Sequence, residues 1–228
     1  MNLHCCSFAS DSFYEVQKKQ KDRFLKLGFK PKEIHLYNPG KLGNQFFASF
    51  PKASEKNKFA WFAFKPFFLM SILRELNDDD ILLYLDANDK PLLGLKNYVF
   101  KTFNRNKNID LLVPSTNYPN FIFLSKFHKR NLSKELLFSS MVNCQPEAGA
   151  LIIRNTIRSR LIINAWYDLT LIHAYELEKY KELNTRWDQE TLFLLSRIYK
   201  SIKLESWFLY KLTGKGIRNF IEFESYRL

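Results

Sequence analysis

Asp80-Ile81-Leu82-Leu83-Tyr84-Leu85-Asp86-Ala87-Asn88-Asp89 is the stretch around which the rest of this sequence can be read. Its apolar run, Ile81–Leu85, lies between acidic brackets: Asp78, Asp79 and Asp80 before it, Asp86 and Asp89 after it. A short apolar run between polar ends predicts a strand buried on both faces, as in a parallel sheet. In open α/β sheets ligands gather beyond the carboxyl ends of the strands. Asp86 and Asn88, spaced i and i+2 at that end, are hard oxygen donors suited to a divalent cation that in turn holds a diphosphate. The plain alternative is a β-turn, which Asp and Asn both favour.

Toward the N-terminus, Met1–Ala9 reads as a first strand and Ser10-Asp11-Ser12 as a turn or helix cap. Phe13–Leu27 alternates Phe13, Val16, Phe24 and Leu27 with lysines and an arginine, an amphipathic basic helix ended by Gly28. Ile34–Tyr37 is a second strand, stopped by Asn38-Pro39-Gly40. Strand, helix, strand is how a nucleotide-binding α/β half begins. Residues 40–58 read as a polar loop carrying Lys41, Lys52, Lys56 and Lys58, and Ala60–Leu76 as an aromatic-rich helix with Pro66 as its first residue.

Beyond the central strand, residues 92–107 are mixed and basic, with no element assigned. Ile109–Val113 predicts a strand closed by Pro114, and Phe121–Leu124 another. Lys134–Val142 reads as a short helix, Gln145–Gly149 as a turn and Ala150–Ile153 as a buried strand. Ile157–Glu178 is helical in spacing, a polar loop covers 179–186, and a helix runs from Trp187 to about Tyr199. The tail from Lys203 is aromatic and basic.

The chain has 228 residues, 46% of them hydrophobic, enough for one α/β domain or two small ones. Its net charge of +12 points to an anionic partner: a nucleotide, a nucleic acid, an anionic bilayer or an acidic glycan. Three cysteines, with Cys5 and Cys6 adjacent, make neither a disulfide framework nor a metal pair, which fits reduced thiols in the cytoplasm. The four histidines are scattered, which argues against a zinc cluster. No run is long enough for a membrane span, and Met1–Ser10 lacks the marks of a signal peptide. GxSxG, HExxH and P-loop patterns do not occur.

Two further places carry polar residues next to regular structure. Gln145-Pro146-Glu147-Ala148-Gly149 puts Glu147 at the lip of the sheet, as a surface turn or a site residue. In Arg186-Trp187-Asp188-Gln189-Glu190, Asp188 is either a helix cap or, with Gln189 and the neighbouring indole, sugar-facing.

In these three places the sequence resembles the GT-A glycosyltransferases, above all bacterial enzymes of lipopolysaccharide or capsule synthesis of the galactosyltransferase and glycogenin-like kind. Their DxD strand end corresponds to Leu83-Tyr84-Leu85-Asp86-Ala87-Asn88, their N-A-G turn to Glu147-Ala148-Gly149, and their D-Q pair to Asp188-Gln189. Ala63-Phe64-Lys65-Pro66 resembles the W-K-P element of a related group. The resemblance spans about residues 1–200 in order. It implies a GT-A-like, Rossmann-type mixed α/β sheet flanked by helices over 1–200, with a C-terminal helical, basic segment over 201–228.

The implied activity is transfer of a hexose from a nucleotide-diphospho-sugar to a cell-surface glycan or lipid-linked saccharide. Phe8, Ser10, Tyr14, Lys65, Asp86, Ala87 and Asn88 would bind the nucleotide sugar, Asp86 and Asn88 a Mn²⁺ or Mg²⁺, and Asp188, Gln189 and Glu147 would act on the sugar and acceptor. The departures are Asn88 for the second acid, Glu147 for the asparagine, and the missing C-terminal H-x-x-G-x-x-K-P-W, where Lys211-Leu212-Thr213-Gly214-Lys215 has only the glycine. Lys65, Lys215 or Arg218 could then supply positive charge to the leaving group. Phe13–Leu27 and the tail further suggest docking of a cytoplasmic enzyme on the anionic inner face of a membrane. The rival readings are a non-catalytic GT-A-like partner subunit and a basic nucleic-acid-binding protein, the latter unsupported by any RNP-like or helix-turn-helix signature.

Overall fold

The computed structural model of the chain describes residues 1–51, 53, 62–122, 124–180, 187–205 and 216–223. A seven-stranded mixed sheet runs through them in the order β2 (Ile34–Tyr37), β1 (Leu3–Phe8), β3 (Ile81–Leu85), β7 (Ala150–Arg154), β5 (Leu111–Pro119), β6 (Cys144–Pro146), with β8 (Ile202–Glu205) also beside β5. β1 pairs in parallel with β2 and β3, whereas β7 is antiparallel to both β3 and β5. β3 is therefore central, parallel to one neighbour and antiparallel to the other. All five of its residues are buried. Ile81, Leu83 and Leu85 face one core layer and Leu82 and Tyr84 the other, the two-residue period of a strand covered on both sides.

The layer around Leu82 and Tyr84 is closed by α2 (Pro39–Ser49), α3 (Phe64–Glu75), α7 (Ile157–Tyr180) and α8 (Trp187–Ile198). The opposite layer is closed by α1 (Tyr14–Lys26) and α4 (Leu95–Arg105). β4 (Lys90–Pro91) and β9 (Ile221–Glu222) form a separate two-stranded ribbon. Among the described residues no helix is long and apolar enough to cross a membrane.

Several elements differ from the sequence expectation. The stretch read as a polar loop from residue 40 is helical through Ser49: Asn38 caps α2 by accepting from the Lys41 N–H, Pro39 is its first residue, and Leu42 and Phe46 bury one face. Lys52, Lys56 and Lys58 lie outside the described residues. α3 begins at Phe64, so Pro66 is its third residue. The unassigned basic stretch forms α4, whose Leu95, Val99 and Phe103, four apart, make one buried stripe.

β5 does not stop at Pro114 but continues to Pro119, and the expected strand 121–124 is instead a 3₁₀ turn, Asn120–Ile122. A proline has no N–H to lose, and the Pro114 carbonyl still accepts from the Glu147 N–H at 2.8 Å. Nor does the segment after residue 200 stand apart. β8 lies in the main sheet, in register with Leu111–Pro114. Residues 206–215 and 224–228, including Lys211–Lys215, lie outside the described residues, as does the 181–186 part of the expected loop.

α1 fixes the carboxyl edge of the sheet through amides rather than through the apolar face expected of it. Phe13 and Tyr14 are well exposed, and the residues buried from α1 are Gln17, Gln20 and Phe24. Gln17 Nε2 donates to the carbonyls of Ser7, at 3.2 Å, and Tyr37, at 3.0 Å, near the ends of β1 and β2. Gln20 Nε2 donates to the carbonyls of Asp86 and Asp89, at 2.8 and 2.9 Å. The turn after β3 is thus held by Gln20, and the ends of β1 and β2 by Gln17, one helical turn earlier. Gln20→Leu removes both bonds from buried carbonyls and should lower the unfolding free energy by about 2 kcal/mol, measured by urea denaturation; an unchanged midpoint would show that the turn holds itself.

Candidate functional site

At the carboxyl ends of β1 and β3 lies a cavity of about 380 Å³. Its walls come from three stretches of chain: Phe8, Ala9, Ser10, Ser12 and Phe13 after β1; Phe62, Phe64 and Lys65 at the start of α3; Tyr84, Asp86, Ala87 and Asn88 at the end of β3. Phe8, Ser10, Lys65, Asp86, Ala87 and Asn88 therefore share one cleft. Tyr14 does not line it and Ser12 and Phe13 take that place. The aromatic side wall is stacked, with Phe8 and Phe64 centroids 4.1 Å apart.

The centre of the arrangement is Lys65. Its side chain is 4% exposed, and its ammonium lies 2.7 Å from Asp188 Oδ2, 3.5 Å from Asp86 Oδ1 and 3.2 Å from the Ala148 carbonyl. Phe62 and Tyr84 rings flank it at 4.9 and 5.6 Å. Phe62 has φ of +72°, a left-handed conformation costly for a non-glycine residue. Burial alone would lower the Lys65 pKa, but the charges of Asp188 and Asp86 outweigh it and hold the ammonium above the usual lysine value. The lysine stays charged because the fold surrounds it with acceptors.

Asp86 is held in turn. Tyr84, two residues earlier and so on the same face of β3, donates its hydroxyl to Asp86 Oδ1. Burial first, and then the neighbouring Asp86 charge, push the Tyr84 phenol well above its ordinary pKa, so it remains a donor. The other Asp86 oxygen lies over Gly149: a Cβ there would sit 3.1 Å from Asp86 Oδ2 and 3.2 Å from Asp89 Oδ2. The glycine of the expected turn is thus needed for close approach, not for an unusual φ.

The three separated stretches of sequence do meet. Asp86, the Ala148-Gly149 backbone and Asp188 converge on one ammonium. Asp188, in the first turn of α8, is not the residue before the helix but its second, and its Oδ1 accepts from the Gln189 N–H at 3.0 Å. Among the described residues, the buried Gln189 amide oxygen has no hydrogen-bond partner. Glu147 is turned away: its carboxylate is buried 2.6 Å from Arg218 Nη2. Like Asp188 and Gln189, which stand behind Lys65, it does not line the cavity. Arg218 is correspondingly engaged with Glu147 and the Ser115 carbonyl rather than open to the cleft. Of Trp187 nothing is described beyond its place in the helix.

Sequence reasoning missed Tyr84, Phe62, Phe64 and Gln20. Tyr84 had a legible signal, its i, i+2 spacing to Asp86; the amide of Gln20 had none, because its partners are backbone carbonyls far along the chain.

Among the described residues no group of three His, Cys, Asp or Glu side chains is placed to hold a metal. A cation bound through substrate phosphates needs less, one or two protein oxygens with water completing the shell. Asp86 and Asn88 both line the cavity and offer those oxygens. The charges agree: Lys65 carries one positive charge against the two negative charges of Asp86 and Asp188.

No protein-family profile matches the chain, and no curated protein matches it. Solved structures do. Mouse xyloside xylosyltransferase 1, in its apo form, is 9% identical, with a TM-score of 0.54 over 90% of this chain and 85% of that one. A glycosyltransferase involved in glycosylation of the major capsid of PBCV-1 is 10% identical, with a TM-score of 0.52 over 90% and 83% of the two chains. At such identities the likeness is one of fold. The chain has a GT-A-like fold, a mixed sheet flanked by helices.

The ion cluster also carries stability. Lys65→Met leaves Asp188 buried without its counter-charge and should cost about 3–5 kcal/mol, read from urea unfolding. A loss below about 1 kcal/mol would mean that water reaches Asp188 and that the pair is a surface ion pair in effect.

Proposed function

We propose that the chain is a glycosyltransferase that moves a sugar from a nucleoside-diphosphate donor to a saccharide acceptor. The observation that carries this reading is the convergence of Asp86, Ala148 and Asp188 on the Lys65 ammonium at the wall of a single cleft. The chemistry requires charge to be neutralised on the departing diphosphate and the sugar to be held for attack.

The aromatic side of the cleft, Phe8, Phe13 and Phe64 with Ser10 and Ser12, suits a nucleoside: flat apolar faces with a few polar groups for orientation. The diphosphate would lie toward Lys65, Asp86 and Asn88. A Mg²⁺ or Mn²⁺ held by Asp86 and Asn88 would, when bound, supply positive charge to the diphosphate. The sugar would lie on the Lys65 side of the cleft, with Asp188 behind the wall as the nearest fixed negative charge after Asp86.

In transfer, the bond from the anomeric carbon to the β-phosphate oxygen breaks and leaves its electron pair on the phosphate. The acceptor hydroxyl oxygen forms the new bond to that carbon, and its proton ends on the released diphosphate. Lys65, fixed between two carboxylates, keeps a positive charge beside the departing group without having to reorganise. Asp188 stabilises positive charge on the sugar ring in an oxocarbenium-like transition state. Glu147 acts at one remove, by holding the turn that carries Ala148 and Gly149. The acceptor is a cell-surface or lipid-linked saccharide in this reading, in keeping with a chain of net charge +12 that would work beside anionic surfaces.

Thermal unfolding in the presence of UDP, GDP, ADP, CDP and dTDP and their sugar conjugates, with and without Mn²⁺, tests it. One nucleotide at about a hundredfold its dissociation constant should add about 2.7 kcal/mol of stability. If none shifts the transition while oligonucleotides bind with a steep salt dependence, the chain is a nucleic-acid binder instead. With the right donor identified, Asp86→Ala should lower turnover at least about 100-fold with the fold intact; full turnover in that variant would remove Asp86 from the site.

A further inference from the structure

One helix of the molecule is built inside out. In α6 (Lys134–Val142), Ser140 is fully buried, whereas Phe138, Met141 and Val142 are 66%, 49% and 63% exposed. Spacings of three and four put those apolar residues on one stripe, and exposed Lys134 lies one turn earlier on it. α6 packs against the 3₁₀ turn Asn120–Ile122 and against β5, which bring Ile122 and Tyr118 to the same region, also about half exposed. Single exposed apolar residues need no explanation, but three large ones on one helical stripe, with two more on the elements packed beside it, do.

The group is bordered by positive charge. α5 (Lys126–Asn131) immediately precedes α6 and exposes Lys129 and Arg130. Over residues 126–142 the sequence carries Lys126, Lys129, Arg130 and Lys134 against the single acid Glu135.

This face lies toward the same edge of the sheet as the candidate site. β5 and β3 are both antiparallel to β7, so their carboxyl ends, Pro119 and Asp86, lie toward the same edge of the sheet. α5 is fastened to the first turn of α8, where Asp188 stands: Glu190 accepts from the Ser125 N–H at 2.8 Å and pairs with His128 Nδ1 at 2.5 Å.

We propose that this face docks on an anionic lipid bilayer, with Phe138, Met141, Val142 and Ile122 entering the interfacial region and Lys129, Arg130 and Lys134 meeting the lipid phosphates. Apolar side chains rimmed by Lys and Arg on a short helix are what such a surface binds. Charge also decides against a second copy of this chain. Two copies meeting symmetrically through the face would bring its basic residues together, whereas anionic headgroups neutralise them. This assigns the docking surface to α6 and its neighbours. Vesicle binding is read without nucleotide or sugar, so its failure would leave the transferase reading untouched.

Flotation of the full chain with phosphatidylcholine vesicles, with and without phosphatidylglycerol, is the experiment. The chain should float with the anionic vesicles at least about tenfold more than with neutral ones. Phe138→Asp, and separately Val142→Asp, should reduce that binding at least about tenfold with an unchanged melting temperature. Lys129→Glu with Arg130→Glu should reduce it by about fivefold for each basic residue and flatten its salt dependence. Wild-type chain that ignores anionic vesicles would overturn the proposal. So would undiminished binding by both aspartate variants, or light scattering that shows a dimer which either variant dissolves.

Discussion

An ammonium ion removed from water costs several kcal/mol unless charged and hydrogen-bonding partners replace its hydration, and in this chain one such ion, Lys65, determines where four segments must lie. The end of β3, the turn before β7, the start of α3 and the first turn of α8 each contribute a group within 3.5 Å of its nitrogen or carry the nitrogen itself. Sequence separations of 83 and 123 residues are spanned by these contacts. α3 has no acid in its first turn, only this lysine, so the positive end of the helix dipole and the side-chain charge add. Two carboxylates answer them. Removing Lys65 leaves the buried Asp188 carboxylate without its counter-charge, which makes the cluster a fold determinant as well as a chemical one.

The same edge of the sheet is secured a second time by neutral groups. Gln17 and Gln20 occupy positions of α1 that would ordinarily be filled by leucine, and their amides satisfy carbonyls at the ends of β1, β2 and β3. An apolar residue would bury comparable area but leave those carbonyls unbonded, and each unmet buried acceptor costs about 1–3 kcal/mol. Far from the site, Arg154 does similar service: it donates to the Phe103 and Lys107 carbonyls at the end of α4. Polar side chains at loop ends, and apolar ones within the layers, are the division of labour throughout.

That division explains what could be read from the sequence. β3 was legible because a strand buried on both faces writes itself as an unbroken apolar run, and Asp86, Gly149 and Asp188 were legible because each stands at the border of such a run. α4 was not, since its stripe of Leu95, Val99 and Phe103 is diluted by lysines and asparagines that face solvent. α2 was hidden by Pro39, Gly40 and Gly43, which signal a loop; Gly43 does break the helical geometry, with φ of +72°. The buried face of α1 was misassigned because its amides look like surface residues until their backbone partners are known. Glu147 was assigned to the chemistry because a carboxylate at a sheet edge has no way, from sequence, of announcing an arginine 71 residues later.

The fate of Glu147 bears on how the proton of an acceptor could move. With Glu147 bound to Arg218, the one carboxylate that lines the cavity among the described residues is Asp86, with Asp188 beyond Lys65 and Asp89 beyond Gly149. Asp89 is fully buried behind Gly149 and does not line the cavity. Both oxygens of Asp188 are occupied, one by Lys65 and the other by the Gln189 N–H. Asp86 Oδ1 is occupied by Tyr84 and Lys65. Each of these bonds is made to the ionised carboxylate and would be lost or weakened by a proton placed on the same oxygen. In the proposed transfer the oxygen of the departing diphosphate gains negative charge at the reacting centre, and that oxygen is the acceptor this reading gives the proton.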